Sequence, residues 1–210
     1  MRVWMIVLMM ALFFGQAVFA KIPEVPKAEL AAINRLLVAH KAKPDDSKVA
    51  FELAIKFASY GFIEEGWNVL KDISPTYAAE VVKTVEPLQK ANPDLWEYPF
   101  KLGFAYYFLD HKKKDYTRSL AAFKRVLDIK PDHVWVMGFI ALIEGLNGRH
   151  KSAIKWCQKA IKIEPDAMAI HALLALGYQK EGGIMKSLGH ALIVGRLKTE
   201  YATSGYDFDI

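Results

Sequence analysis

The stretch PDHVWVMGFIALIEGLNGRHKSAIKWCQKAIKIEP, residues 131–165, begins and ends on proline and holds two apolar-periodic runs separated by Asn147-Gly148. Proline stops a helix because it lacks an N–H donor and its ring meets the carbonyl four residues back. Asn-Gly is a turn pair. The stretch therefore reads as a helical hairpin, and its prolines set a period of about 34 residues.

The Pro-Asp pair recurs at Pro44-Asp45, Pro93-Asp94, Pro131-Asp132 and Pro165-Asp166. Each pair is read as a helix end followed by a helix start, with the aspartate accepting the orphan N–H groups of the next helix. Glu97, three residues after Asp94, suggests a capping box there. Sliding the chain by the period aligns residue types. One column holds Ala54, Gly103, Ala141 and Ala175, preceded by Leu53, Leu102, Ile140 and Leu174. A second is small throughout, at Gly66, Ser119, Ala153 and Ser187. A third runs Leu70, Phe123, Cys157, Ala191, and a fourth Ile73, Val126, Ala160, Val194. Small columns let paired helices approach, and larger apolar columns fill the space between them.

At these residues the sequence resembles the tetratricopeptide repeat (TPR) family. Leu102-Gly103-x-x-Tyr106, continuing through Ser119, Phe123 and Val126 to Pro131, follows the family pattern, and Ala141, Gly148, Ala153, Cys157, Ala160 and Pro165 follow it again. The resemblance implies an all-α, right-handed superhelical solenoid of antiparallel helix pairs. Repeats are placed at 47–80, 94–133, 134–167 and 168–201, within a domain at 21–201. Residues 28–44 read as the second helix of a truncated leading repeat. The family's tryptophan column holds Ala50, Pro99, Met137 and His171 instead. The segment YAAEVVKTVEPLQKAN reads as an irregular extra helix between the first and second full repeats, kinked at Pro87. The HKKKDY turn adds four residues to the second repeat.

The stretch FKLGFAYYFLD, residues 100–110, carries more aromatics than one helix face can bury. Leu102, Gly103 and Tyr106 are expected against the partner helix. Phe100, Phe104 and Tyr107 fall on another side, which in the TPR family lines the concave groove. The predicted groove comprises Phe51, Ile55, Phe100, Phe104, Tyr107, Trp135, Leu142 and Leu176. Contiguous apolar surface of this kind marks an interaction site, and each buried side chain is worth roughly 1.5–3 kcal/mol. Three occupants remain open: the chain itself, through the segment 76–92 or a tightly wound superhelix; an apolar or aromatic segment of a partner; and a second copy. Family members that grip terminal carboxylates do so with lysine, arginine and asparagine. Lys48, Lys101 and Gln179 only approximate such a clamp, so an apolar peptide or helix is the expected ligand.

The first twenty residues, MRVWMIVLMMALFFGQAVFA, hold one charge at Arg2, an apolar run and small residues at Ala17 and Ala20. This is the pattern of a cleavable signal peptide. An uncleaved anchor through residues 3–19 is the alternative, with export to a periplasm or beyond expected either way. The formal net charge of +5 is spread along the chain and does not argue for nucleic acid. Membrane contact is expected to be peripheral at most. The lone Cys157 permits no internal disulfide, and its packing column marks it as a buried thiol.

None of the six histidines stands three or four residues from another, and there is no phosphate loop, nucleophile elbow or dinucleotide fingerprint. Neither catalysis, a metal nor a cofactor is expected. Lys112, Lys113 and Lys114 form a basic turn suited to a solvated loop or an anionic surface. The tail at 202–210 ends in YDFDI, an alternation that suits an extended docking segment. The expected function is that of an exported scaffold holding an apolar segment of another envelope protein and assisting assembly of a multiprotein complex. A self-associating structural subunit is the alternative.

Overall fold

The structure, a computed structural model, describes residues 25–70, 73–110 and 114–202. The leader at 1–20, Lys112 and Lys113, and the tail beyond Ala202 lie outside the described residues. Among the described residues there are ten helices and no strand. They are α1 (Lys27–Ala42), α2 (Ser47–Ser59), α3 (Ile63–Leu70), α4 (Pro75–Ala91), α5 (Glu97–Asp110), α6 (Thr117–Ile129), α7 (Val134–Leu146), α8 (His150–Ile163), α9 (Met168–Lys180) and α10 (Ile184–Ala202). Consecutive helices pack on one another, most sparsely where α3 gives way to α4, and α7 also packs on α9. That pattern is a solenoid of antiparallel helix pairs with an extra helix, α4, inserted before α5.

The small columns act as the sequence implies. A Cβ on Gly103 would stand 2.5 Å from the Phe123 ring, so only glycine admits that ring against α5. The Ser119 hydroxyl donates to the Gly103 carbonyl at 2.7 Å, and two repeats later Ser187 donates to the Ala175 carbonyl at 2.8 Å. Both second helices are thereby fastened to their first helices at equivalent positions.

The Pro-Asp pairs behave differently from the expectation. Asp46, not Asp45, caps α2, accepting from the backbone N–H groups of Lys48 and Val49 at 3.1 and 3.2 Å. The N-cap places of α7 and α9 fall to His133 and Ala167, neither of which makes a side-chain cap. Glu97 is the first residue of α5, so Asp94 lies too far upstream for a capping box. The proline and aspartate form the turn itself, and the helix begins after it. Pro99 sits in the first turn of α5, where a missing N–H costs nothing. Ser74 caps α4 by accepting from the Tyr77 N–H at 3.1 Å, and α4 runs on through Pro87 without ending there.

Where two helices of a pair turn back, the backbone enters the left-handed region: at Gly61 (φ 81°), Gly148 (φ 73°) and Gly182 (φ 75°). In the longer turn between α5 and α6 that conformation falls to Lys114 (φ 54°), which carries a side chain.

Candidate interaction surface

The aromatics of α5 divide between three neighbours. Phe100 meets Trp96, His133, Phe123 and Phe139, with ring centroids 5.0 to 6.3 Å apart across this cluster. Phe104 sits edge-on to Phe123 at 5.2 Å and to Phe139 at 4.7 Å. Tyr107 stacks on Tyr116 at 5.5 Å. The Tyr106 hydroxyl donates to Glu86 of α4, and the Arg118 guanidinium lies over its ring. Burial and the Glu86 carboxylate push the Tyr106 phenol up to about 12, so it stays a donor at neutral pH.

This packing corrects half of the predicted groove. Phe51, Ile55, Phe100 and Phe104 are buried within the chain. Phe51 packs edge-on against Tyr77 of the extra helix, with centroids 5.9 Å apart. The physical reason is volume: Phe123 from α6 and Phe139 from α7 close over α5 from two sides, leaving no open face beside Phe100 and Phe104. The slot left among Phe104, Tyr107, Phe123, Phe139, Leu142 and Ile143 measures about 10 Å³, space for a single water at most.

The array also closes on itself. The turn between α2 and α3 reaches α7, where a Cβ on Gly61 would stand 2.1 Å from the Trp135 ring. The end of α10 returns to the same turn. Phe62 and Tyr201 pack with centroids 6.3 Å apart, the Tyr201 hydroxyl donates to Glu65 at 2.8 Å, and Lys198 faces Glu64 at 3.9 Å. Trp135 is accordingly half-buried beneath the first repeat rather than open in a groove.

What remains reachable follows one column. Ile55, Phe104, Leu142 and Leu176 occupy equivalent positions of four first helices. Ile55 is 6 % exposed and Phe104 4 %, whereas Leu142 is half-buried and Leu176 is 49 % exposed. The inner column is core at α2 and α5, half-buried at α7 and surface at α9. Leu146, one turn beyond Leu142, adds a further exposed apolar side chain. It was not among the predicted groove residues, although a step of four from Leu142 identifies it.

The polar candidates separate as well. Lys101 is held by Glu52 of α2, with its ammonium 2.7 and 2.8 Å from the two carboxylate oxygens. Lys48, Gln179 and Lys114 are exposed. The turns between paired helices are pinned by ion pairs: Arg118 holds Asp110 through two hydrogen bonds at 2.8 and 2.9 Å, and Arg149 holds Glu144. The Arg149 bond keeps the Glu144 carboxyl below its ordinary range despite burial.

Two features escaped the sequence. His171 and His190, nineteen positions apart, meet across α9 and α10 with their Nδ1 atoms 2.9 Å apart. His171 Nε2 lies 2.7 Å from the Pro165 carbonyl, which makes Nε2–H its donor and leaves Nδ1 to accept from His190. Burial and the neighbouring ring both lower the His190 imidazole. No local spacing signals such a pair, because the two helices bring it together. The other is a polar cleft of about 420 Å³ lined by Glu86, Gln89, Lys90, Pro93, Tyr106 and Arg125. Burial pushes the Cys157 thiol up to about 12, an unreactive state. No group of three or more metal-ligating side chains occurs among the described residues, and no described helix is long and apolar enough to cross a membrane.

A solenoid of antiparallel helix pairs falls in the class of helical-repeat proteins. Residues 136–167 match the sequence profile of the tetratricopeptide repeat, so the chain carries at least one such repeat. No curated protein matches the sequence. Among solved structures, TTC0263, a thermophilic TPR protein in Thermus thermophilus, is similar with 20% identity over 83% of this chain and 89% of that one, at a TM-score of 0.50. A double mutant of MamA from RS-1 is similar with 15% identity over 84% of this chain and 88% of that one, also at 0.50. These likenesses establish the all-α TPR-type solenoid fold.

Proposed function

We propose that this chain is an exported, non-catalytic scaffold that holds an apolar segment of another envelope protein on the open end of its inner face. Leu142, Leu146 and Leu176 make the contact, with Tyr107 at the edge. The observation that carries the reading is the gradient along the inner column, from 4 % exposure at Phe104 to 49 % at Leu176. Exposed leucines on adjacent first helices suit an apolar helix or extended peptide better than a charged one. Export rests on the leader of residues 1–20, with its single charge and apolar run. The TPR-type fold supports binding as the function, since such arrays present extended surfaces to other proteins.

The test is capture from an envelope extract with the full chain and with a Leu142→Glu, Leu176→Glu double variant. A partner held by the parent chain and lost from the variant, with helical content unchanged, supports the site. Equal capture by both contradicts it. For export, residues 1–20 fused to a reporter that is active only outside the cytoplasm should give activity, and silence of the fusion would remove that part of the reading.

A further inference from the structure

His171 of α9 and His190 of α10 meet nitrogen to nitrogen. Their Nδ1 atoms are 2.9 Å apart, and their ring centres are 5.1 Å apart with the planes tilted by 40°. His171 is buried and His190 half-buried, so the pair sits where the packing of the two helices reaches the surface.

Both rings are held from behind. His171 Nε2–H donates to the Pro165 carbonyl at 2.7 Å. An imidazole whose one N–H is committed to a backbone carbonyl presents the opposite nitrogen as a lone-pair donor, the arrangement that orients histidine ligands toward metals. His190 lies parallel to the Tyr178 ring, with planes 2° apart and centroids 5.7 Å apart. Tyr178 is itself fixed, since its hydroxyl accepts from the Gln158 amide at 2.9 Å. Packing alone does not call for imidazole here. A shift of one repeat carries His171 onto Met137 and His190 onto Trp156, which belong to one apolar cluster. The last helix pair thus has two nitrogen donors where the preceding pair has apolar atoms.

We propose that His171 and His190 form a two-imidazole site for a divalent ion of the zinc class, which joins α9 to α10 in place of the proton the two rings share. With ~2.05 Å bonds at the tetrahedral angle, two ligating nitrogens stand about 3.3 Å apart and their ring centres about 5.2 Å apart. The ring centres already have that separation, so a small swing of the rings opens the nitrogens for the ion. The proton on His190 Nδ1 moves to its Nε2, and both rings stay neutral with one N–H each. No group of three or more ligating side chains occurs among the described residues, so water or an outside donor takes the remaining positions. Imidazole nitrogen suits zinc, copper and nickel, whereas magnesium and calcium take oxygen ligands.

The experiment titrates the full chain, purified without a polyhistidine tag, with ZnCl2. The parent chain should take up a single zinc by calorimetry and gain a higher thermal midpoint that EDTA reverses. MgCl2 should do neither. His190→Gln, whose amide can still donate to His171 Nδ1, should weaken zinc binding at least about tenfold. His150→Gln, on α8, should bind as the parent does. With isotope-labelled histidine in the parent chain, zinc should shift the Nδ1 resonances of two of the six histidines and leave the other four in place, a reading that needs no variant to fold. Zinc uptake undiminished in His190→Gln overturns the proposal. So does absence of binding by the parent at about 1 mM ZnCl2, or any pattern of shifted resonances other than that of the pair.

Discussion

His133 sits where α7 begins, stacked on Phe100 with ring centroids 5.4 Å apart and edge-on to Trp96 at 5.0 Å. Burial, assisted by the Lys130 charge, lowers its imidazole from 6.5 to about 4. A base whose folded value is depressed binds its proton in the unfolded chain first, so stability is whole above about pH 6.5 and falls as the pH drops toward 4. His190 is lowered too, and acts with the same sign. The thermal midpoint should therefore decline between about pH 6.5 and about pH 4.5. His133→Phe should flatten that decline while keeping the ring stack; an unchanged profile would place the proton elsewhere.

The helices themselves were largely legible from the sequence. The column of Gly103 and Ser119 predicted close approach because a missing Cβ and a small hydroxyl are local facts, and the structure uses both within one helix pair. The misplaced caps arose because Pro-Asp is compatible with two roles, and the turn role wins where a further residue precedes the helix. The error on Phe100 and Phe104 was of another kind. Helical periodicity tells which residues share a side, but what faces that side depended on Phe139, a residue from the next repeat. His171 and His190 were hidden for the same reason. In the turn between α5 and α6, Lys114 adopts the conformation that glycine holds in the other pairs. A side chain there costs about 1–2 kcal/mol, and the added freedom of an unfolded glycine returns about 0.4–1 kcal/mol of that. Lys114→Gly should raise unfolding stability by up to about 1 kcal/mol in urea denaturation. A loss of stability would mean that the lysine side chain makes a contact outweighing the strain.

Closure of the array decides which surfaces are available. The turn at Gly61 meets Trp135, and the end of α10 meets Phe62, Glu64 and Glu65, so the first repeat is tied to the third and to the last helix. Gly61→Ala strains a positive φ and drives a methyl group into the indole ring, for a loss of at least about 2 kcal/mol. Tryptophan emission should move to the red as Trp135 meets water. Unchanged emission and stability would mean that the seam is looser than the geometry indicates.

One structural column is core at Phe104 and surface at Leu176. The direct measurement is chemical denaturation of Phe104→Glu beside Leu176→Glu. A carboxylate forced into the Phe123 and Phe139 cluster should cost at least about 3 kcal/mol or prevent folding, whereas Leu176→Glu should stay within about 0.5 kcal/mol of the parent chain. If Phe104→Glu instead unfolds at the parent's denaturant concentration, the aromatic cluster is open to solvent and the inner face is a groove along its whole length.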